Sequence, residues 1–178
     1  MLGVCAVFDR ARDQLLRSRA AVDALKHSTD ERSFLVRFNE AVASFQLVLI
    51  ALLKEGRGER IPGFDAWYTD AMRRMDSDEL MSMVREARDF DFGDGPHRIR
   101  FVKGHSNLQA DELGRPVNQR SWWTLPYDPS QHASIDNAPR THAGGTLDRN
   151  DPVSLAEEVL ATLDRLVDEA SGAVGVAA

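Results

Sequence analysis

Four of the five histidines of this chain fall in one stretch, between Asp89 and Asp151: His97, His105, His132 and His142. Imidazoles grouped with carboxylates can ligate a metal. His97 and His105 lie eight residues apart, so an unbroken strand would set them on one face, and Asp111 and Glu112 follow. No HxH, HExxH or CxxC spacing organises them, and scattered loop histidines are usually solvated. No metal and no cofactor is therefore expected. A second group is basic and aromatic. Arg98, Arg100 and Lys103 sit on a partly alternating run, with Trp122 and Trp123 further on. Such cations and indole faces can hold the backbone and stack the bases of a single-stranded nucleic acid. The same residues can equally cover one edge of a bundle, with the tryptophans as core, and that reading is preferred. Arg88 suits the end of a helix, where a cation faces the C-terminal dipole. Gly144-Gly145 matches no phosphate-loop pattern.

The bulk composition narrows the setting. The 178 residues are enough for one domain with a real core, and 43% of them are hydrophobic. The net charge of −6 argues against a whole-molecule attraction to nucleic acid but leaves room for a local basic patch. Cys5 is the only cysteine, which excludes an intrachain disulfide and a Cys-rich zinc site and suits a reducing cytoplasm. The opening residues MLGVCAVFDRARD have no basic region ahead of their apolar run and no small-residue cleavage pattern, so no signal peptide is expected.

The elements that must position these side chains are read from hydrophobic period. The stretch Asp30–Glu55 organises them. Phe34, Phe38, Ala41, Phe45, Val48 and Leu52 follow a 4-3-4-3-4 spacing, one apolar seam along a helix. From Ala41 to Leu53 only Ser44 and Gln46 are polar, so this half needs partners on more than one side. The apolar run is taken as too short for a bilayer, which requires roughly 20 such residues. A first helix over Leu2–Lys26 repeats the spacing through Val4, Phe8, Ala11, Leu15, Ser18, Val22 and Leu25. Ser28, Thr29 and Asp30 supply capping chemistry between the two, which makes them antiparallel neighbours. The central helix is expected to stop at Gly56. A third helix covers Phe64–Met75, and Asp76 with Glu79 reads as a capping box for a fourth, through about Arg88. Residues 98–103 and 121–127 are strand candidates able to pair as a hairpin, and 128–150 reads as loop. Asp151-Pro152 starts a fifth helix, ended by Ser171-Gly172, with a frayed tail over 173–178.

Within this frame, Lys54-Glu55 at a long helix's end is followed by Phe64-Asp65-Ala66-Trp67-Tyr68, and a later helix ends in Arg88-Asp89. The segment from Phe34 to His97 thereby resembles the HEPN superfamily of small helical proteins. It is most similar to a divergent bacterial group with Lys-Glu, then Phe-x-x-Trp-Tyr, then Arg-Asn. The resemblance implies a dimer and, in active members, a metal-independent endoribonuclease built on a closely spaced Arg and His. Arg88 and His97 would then be the catalytic pair. The His would take the 2′-hydroxyl proton and the Arg would hold the phosphate as charge develops. This chain departs from that pattern. Eight residues separate Arg88 from His97, Gly93, Gly95 and Pro96 interrupt any helix between them, and Asp89, Asp91 and Asp94 add negative charge.

The expectation is an all-α fold. It is an antiparallel bundle of about five helices in one domain over 1–178, with an irregular or small β-hairpin insertion at about 89–150 before the last helix. The first and central helices carry more apolar surface than one small subunit can cover, so a homodimer is expected. The preferred function is a HEPN-like soluble interaction or regulatory protein without robust catalysis. The alternative is an RNA endonuclease using Arg88 and His97. Expected partners are a second copy and a protein or RNA, with no membrane, in the cytoplasm.

Overall fold

The computed structural model describes residues 8–87, 92, 96–103, 124–125, 128–146 and 151–176, with the backbone alone at 102–103, 124–125, 128–131, 146 and 174–176. Five helices form an all-α antiparallel bundle: α1 (Asp9–Lys26), α2 (Glu31–Gly58), α3 (Phe64–Asp76), α4 (Glu79–Glu86) and α5 (Pro152–Val176). A small β insertion precedes α5: β1 (Ile99–Lys103), β2 (Thr124–Leu125), β3 (Asp128–Ile135), β4 (Thr141–His142) and β5 (Gly145–Thr146).

The seam of α2 is the core. Phe34, Phe38, Ala41, Phe45, Val48 and Leu52 are each at most 1% exposed. Asp30 starts the helix through a capping box: its carboxylate accepts from Ser33 N, and the Ser33 hydroxyl accepts from Asp30 N. α1 lies antiparallel to α2 and buries Ala11, Leu15, Ser18, Val22 and Leu25, the expected stripe over its described part. Its start at Leu2 lies outside the described residues. No side chain at Phe8 caps α1. Glu55, on the last turns of α2, accepts from Arg10 N and Ala11 N at 2.9 Å instead. A carboxylate at a helix N-terminus also complements the dipole. α5 runs antiparallel to α1. Three exposed ion pairs mark this direction, Arg12–Asp168, Arg19–Asp164 and Lys26–Glu157.

Several boundaries differ from the sequence reading. α2 does not stop at Gly56 but continues to Gly58. Gly56 is a contact position: a Cβ there would lie 2.2 Å from the Phe64 ring. Over its full length α2 is long and apolar enough, by length and composition, to cross a membrane, so the expectation that its run is too short does not stand. The core helix of a bundle meets the same criterion. The cap of α4 is Asp78, which accepts from Met81 N, and not Asp76, which belongs to α3 and pairs with Arg85. α4 is short, ending at Glu86. α5 passes through Ser171-Gly172 to Val176. Ser171 does not break it because its hydroxyl donates to Val167 O within the helix and accepts from Arg12.

The strand pairing also differs. β1 does not pair with β2, the described part of 121–127. β3 lies between them, giving the order β1-β3-β2, all antiparallel. Residues 128–135, read as loop, are therefore the middle strand. Ile99 faces Ile135 and Phe101 faces Ala133 across the ladder. These four form the side packed on the bundle: Ile99, Ala133 and Ile135 are buried, and Phe101 meets Phe34 edge-on at 5.8 Å. β4 and β5 form a separate hairpin whose turn, Ala143-Gly144, has both φ angles positive, the geometry a two-residue hairpin favours.

Candidate functional site

His97 leaves the turn before β1 half-buried, and its Nδ1 lies 3.1 Å from the Asn137 carbonyl. Asn137 in turn donates to Pro96 O at 2.9 Å, so the two turns at the sheet's end are stapled together. His97 lines a groove of about 460 Å³ between α4 and the segment 137–140. Asp76, Glu79, Glu86 and Arg140 also line it. Glu79 accepts from the backbone N–H of Arg140 and Thr141 at 2.7 and 3.1 Å, and Glu86 accepts from the Ser82 hydroxyl at 3.1 Å. Among the described residues the three carboxylates outnumber the guanidiniums of Arg140 and of Arg85, which pairs with Asp76, and this makes a poor seat for an RNA phosphate. Arg88 lies outside the described residues, so its approach to His97 is not part of this geometry.

The proposed basic and aromatic group is divided. Arg98 and Arg100 are exposed, and Arg100 is paired with Asp136 at 2.6 Å. The backbone of Lys103 pairs with Gln131. Trp122 and Trp123 lie outside the described residues, as do His105, Asp111 and Glu112. His132 sits in β3 opposite Val102 and Thr124. Among the described residues no group of three metal-ligating side chains converges.

The structure assembles instead a constellation that the sequence reading missed. His142 is buried, and its Nδ1 lies 3.0 Å from both oxygens of Asp78. Its Nε2 shares a hydrogen bond with the Thr162 hydroxyl at 2.9 Å, and Arg165 donates to that hydroxyl at 3.1 Å. Asp78 also accepts from Met81 N and, at 2.7 Å, from Ala143 N. Burial pushes the Asp78 carboxyl up. The Ala143 N–H, the His142 ring and the Met81 N–H outweigh it and hold the group below its ordinary value of 3.8.

Hydroxyl, imidazole and carboxylate thus stand in the order used for nucleophilic catalysis. Such chemistry also needs free donors for the developing oxyanion. Here three of the neighbouring N–H groups are spent, Arg140 and Thr141 on Glu79 and Ala143 on Asp78. The imidazole is sealed in as well. The arrangement ties the β4–β5 hairpin to the N-terminus of α4 and the middle of α5. The sequence reading put the cap at Asp76 and gave no signal for this set, because the partners of Asp78 lie 64 and 84 positions downstream.

One further surface stands out. On the outward side of α2, Val36, Leu47 and Ile50 are 50%, 48% and 45% exposed, with Ala43 exposed among them. Glu40 and Lys54 lie on the same stripe, and no charged residue falls between them in the sequence.

Compared with protein-family models, with curated proteins and with solved structures, the chain matches none.

Proposed function

We propose that this chain is a HEPN-like interaction or regulatory protein that works in the cytoplasm as a homodimer and acts by binding, without robust catalysis. The observation that carries the reading is the groove beside His97. A ribonuclease site must gather positive charge around the phosphate it cleaves. This groove gathers Asp76, Glu79 and Glu86, and the His97 ring is engaged with a backbone carbonyl. The Asp78–His142–Thr162 set, with the Arg140, Thr141 and Ala143 N–H groups beside it engaged, supports a structural use of His142. The open apolar stripe of α2 supports action through contact with another chain.

The test is direct. Purified protein incubated with structured and unstructured RNA in EDTA is expected to leave both intact. Cleavage that persists in EDTA and falls by orders of magnitude in His97→Ala, with melting unchanged, would overturn the proposal in favour of the endonuclease.

A further inference from the structure

Resting on the homodimer reading above, we infer that the outward stripe of α2 docks against the same stripe of a second copy, antiparallel, about a two-fold axis at Leu47.

Isolated exposed apolar residues are ordinary. This set is different in its order. Val36, Glu40, Ala43, Leu47, Ile50 and Lys54 follow a 4-3-4-3-4 spacing, offset from the buried seam, and every one is exposed. The helix therefore carries two seams, one inward and one outward. The outward sides of α1 and α5 carry mostly charge instead, including Arg12, Arg19 and Lys26 on one and Asp164, Asp168 and Glu157 on the other, and the exposed Leu16 of α1 stands singly among Arg12, Asp13 and Arg19 rather than in a stripe. On α2 the thirteen residues from Ala41 to Leu53 contain no charge at all.

Orientation follows from the charges that bound this run. Glu40 and Lys54 stand seven positions before and after Leu47. That is about 10 Å either way along the helix axis. Reversing one helix about Leu47 brings Glu40 of each copy beside Lys54 of the other, at both ends of the contact. A parallel arrangement would set Glu40 against Glu40 and Lys54 against Lys54. The stripe is thus complementary to itself in one direction only, which is what an isologous two-fold interface requires. Ala43, Ser44 and Ala51 are small, so the two backbones can come close.

The experiment uses the full chain. Wild type is expected to sediment as a dimer at tens of micromolar. Leu47→Glu and Ile50→Glu, both at exposed positions, should each give a folded monomer with melting within a few degrees of wild type. Glu40→Lys and Lys54→Glu should each weaken the dimer about tenfold or more, and mixing the two variants should restore a heterodimer. With Cys5→Ser as background, Leu47→Cys should cross-link to itself under oxidation and Glu40→Cys should not.

A wild-type monomer at every concentration would overturn both the dimer and this interface. A dimer that survives Leu47→Glu would overturn the interface alone and leave the homodimer reading standing. Self-cross-linking through Glu40→Cys would overturn the antiparallel orientation. Strongly lowered melting in both glutamate variants, or a monomer that floats with phosphatidylcholine vesicles, would show the stripe covered by its own chain or by lipid, and would equally overturn the proposal.

Discussion

At the scale of single residues, His142 and Asp78 hold more of the irregular region than their exposure suggests. One carboxylate caps α4, accepts the hairpin's Ala143 N–H and receives the imidazole. His142→Ala should therefore cost about 1–2 kcal/mol in urea unfolding, since it leaves part of a half-buried carboxylate unpaired. A charge-assisted contact of this kind also makes stability depend on pH. The folded Asp78 binds its proton less readily than the unfolded chain does. As pH falls, the unfolded state is protonated first and gains ground. The contribution is thus complete above the unfolded value, near pH 4, and is lost as pH falls through the lower folded value. Asp78→Asn should remove this component, so its stability should decline less steeply than wild type below pH 4. Equal slopes in acid unfolding would refute the assignment.

At the scale of elements, glycines that look alike in the sequence have opposite consequences. Gly56 lies under the Phe64 ring, and an added methyl would have to displace it. Gly56→Ala should destabilise by about 1–3 kcal/mol despite the better helix propensity of alanine. Gly172 lies inside α5 with open space where an alanine methyl would sit. Gly172→Ala should stabilise by about 0.5–1 kcal/mol. Paired thermal melts check both signs. The Phe64 contact was not visible in advance because Gly56, followed by Gly58, has the composition of a helix end. Similarly, Ser171-Gly172 reads as a stop only until the Ser171 hydroxyl is seen to bond within its own helix and to Arg12. The spacing of Phe64, Tyr68, Ala71 and Met75, by contrast, does mark the inward face of α3, with Phe64, Ala71 and Met75 buried and Tyr68 half-buried.

At the scale of the whole molecule, α5 packs against each of the other four helices and against β3, so it closes the bundle. Leu163, fully buried in its middle, should cost about 2–5 kcal/mol on truncation to alanine. The loss should appear as one cooperative transition followed together by far-ultraviolet circular dichroism and tryptophan fluorescence. Two separated transitions would show that the insertion and bundle unfold independently. The exposed pairs Arg19–Asp164 and Lys26–Glu157 align α5 on α1 but add little, about 0–1 kcal/mol each. Burial therefore dominates the closure, and moderate salt should leave melting almost unchanged.

The sequence by itself determined the five helices, their inward faces, and the caps at Asp30 and Asp151. Helical period and capping act over three or four residues, so their signal is local and survives without a structure. The tertiary structure decided what depends on distant partners. β3 was illegible because Asp128-Pro129-Ser130 has loop composition, and its place between β1 and β2 comes from Ala133 and Ile135 packing on the bundle. Glu55 as the cap of α1 joins groups 44 and 45 positions apart. His142 joins an aspartate 64 positions before it to a threonine 20 positions after. No short-range pattern encodes such pairs, because their free energy is realised only when the helices have already brought the partners together. The same is true of the outward stripe on α2. Its spacing is written in the sequence, but only the packed bundle shows which of the two seams is left facing out.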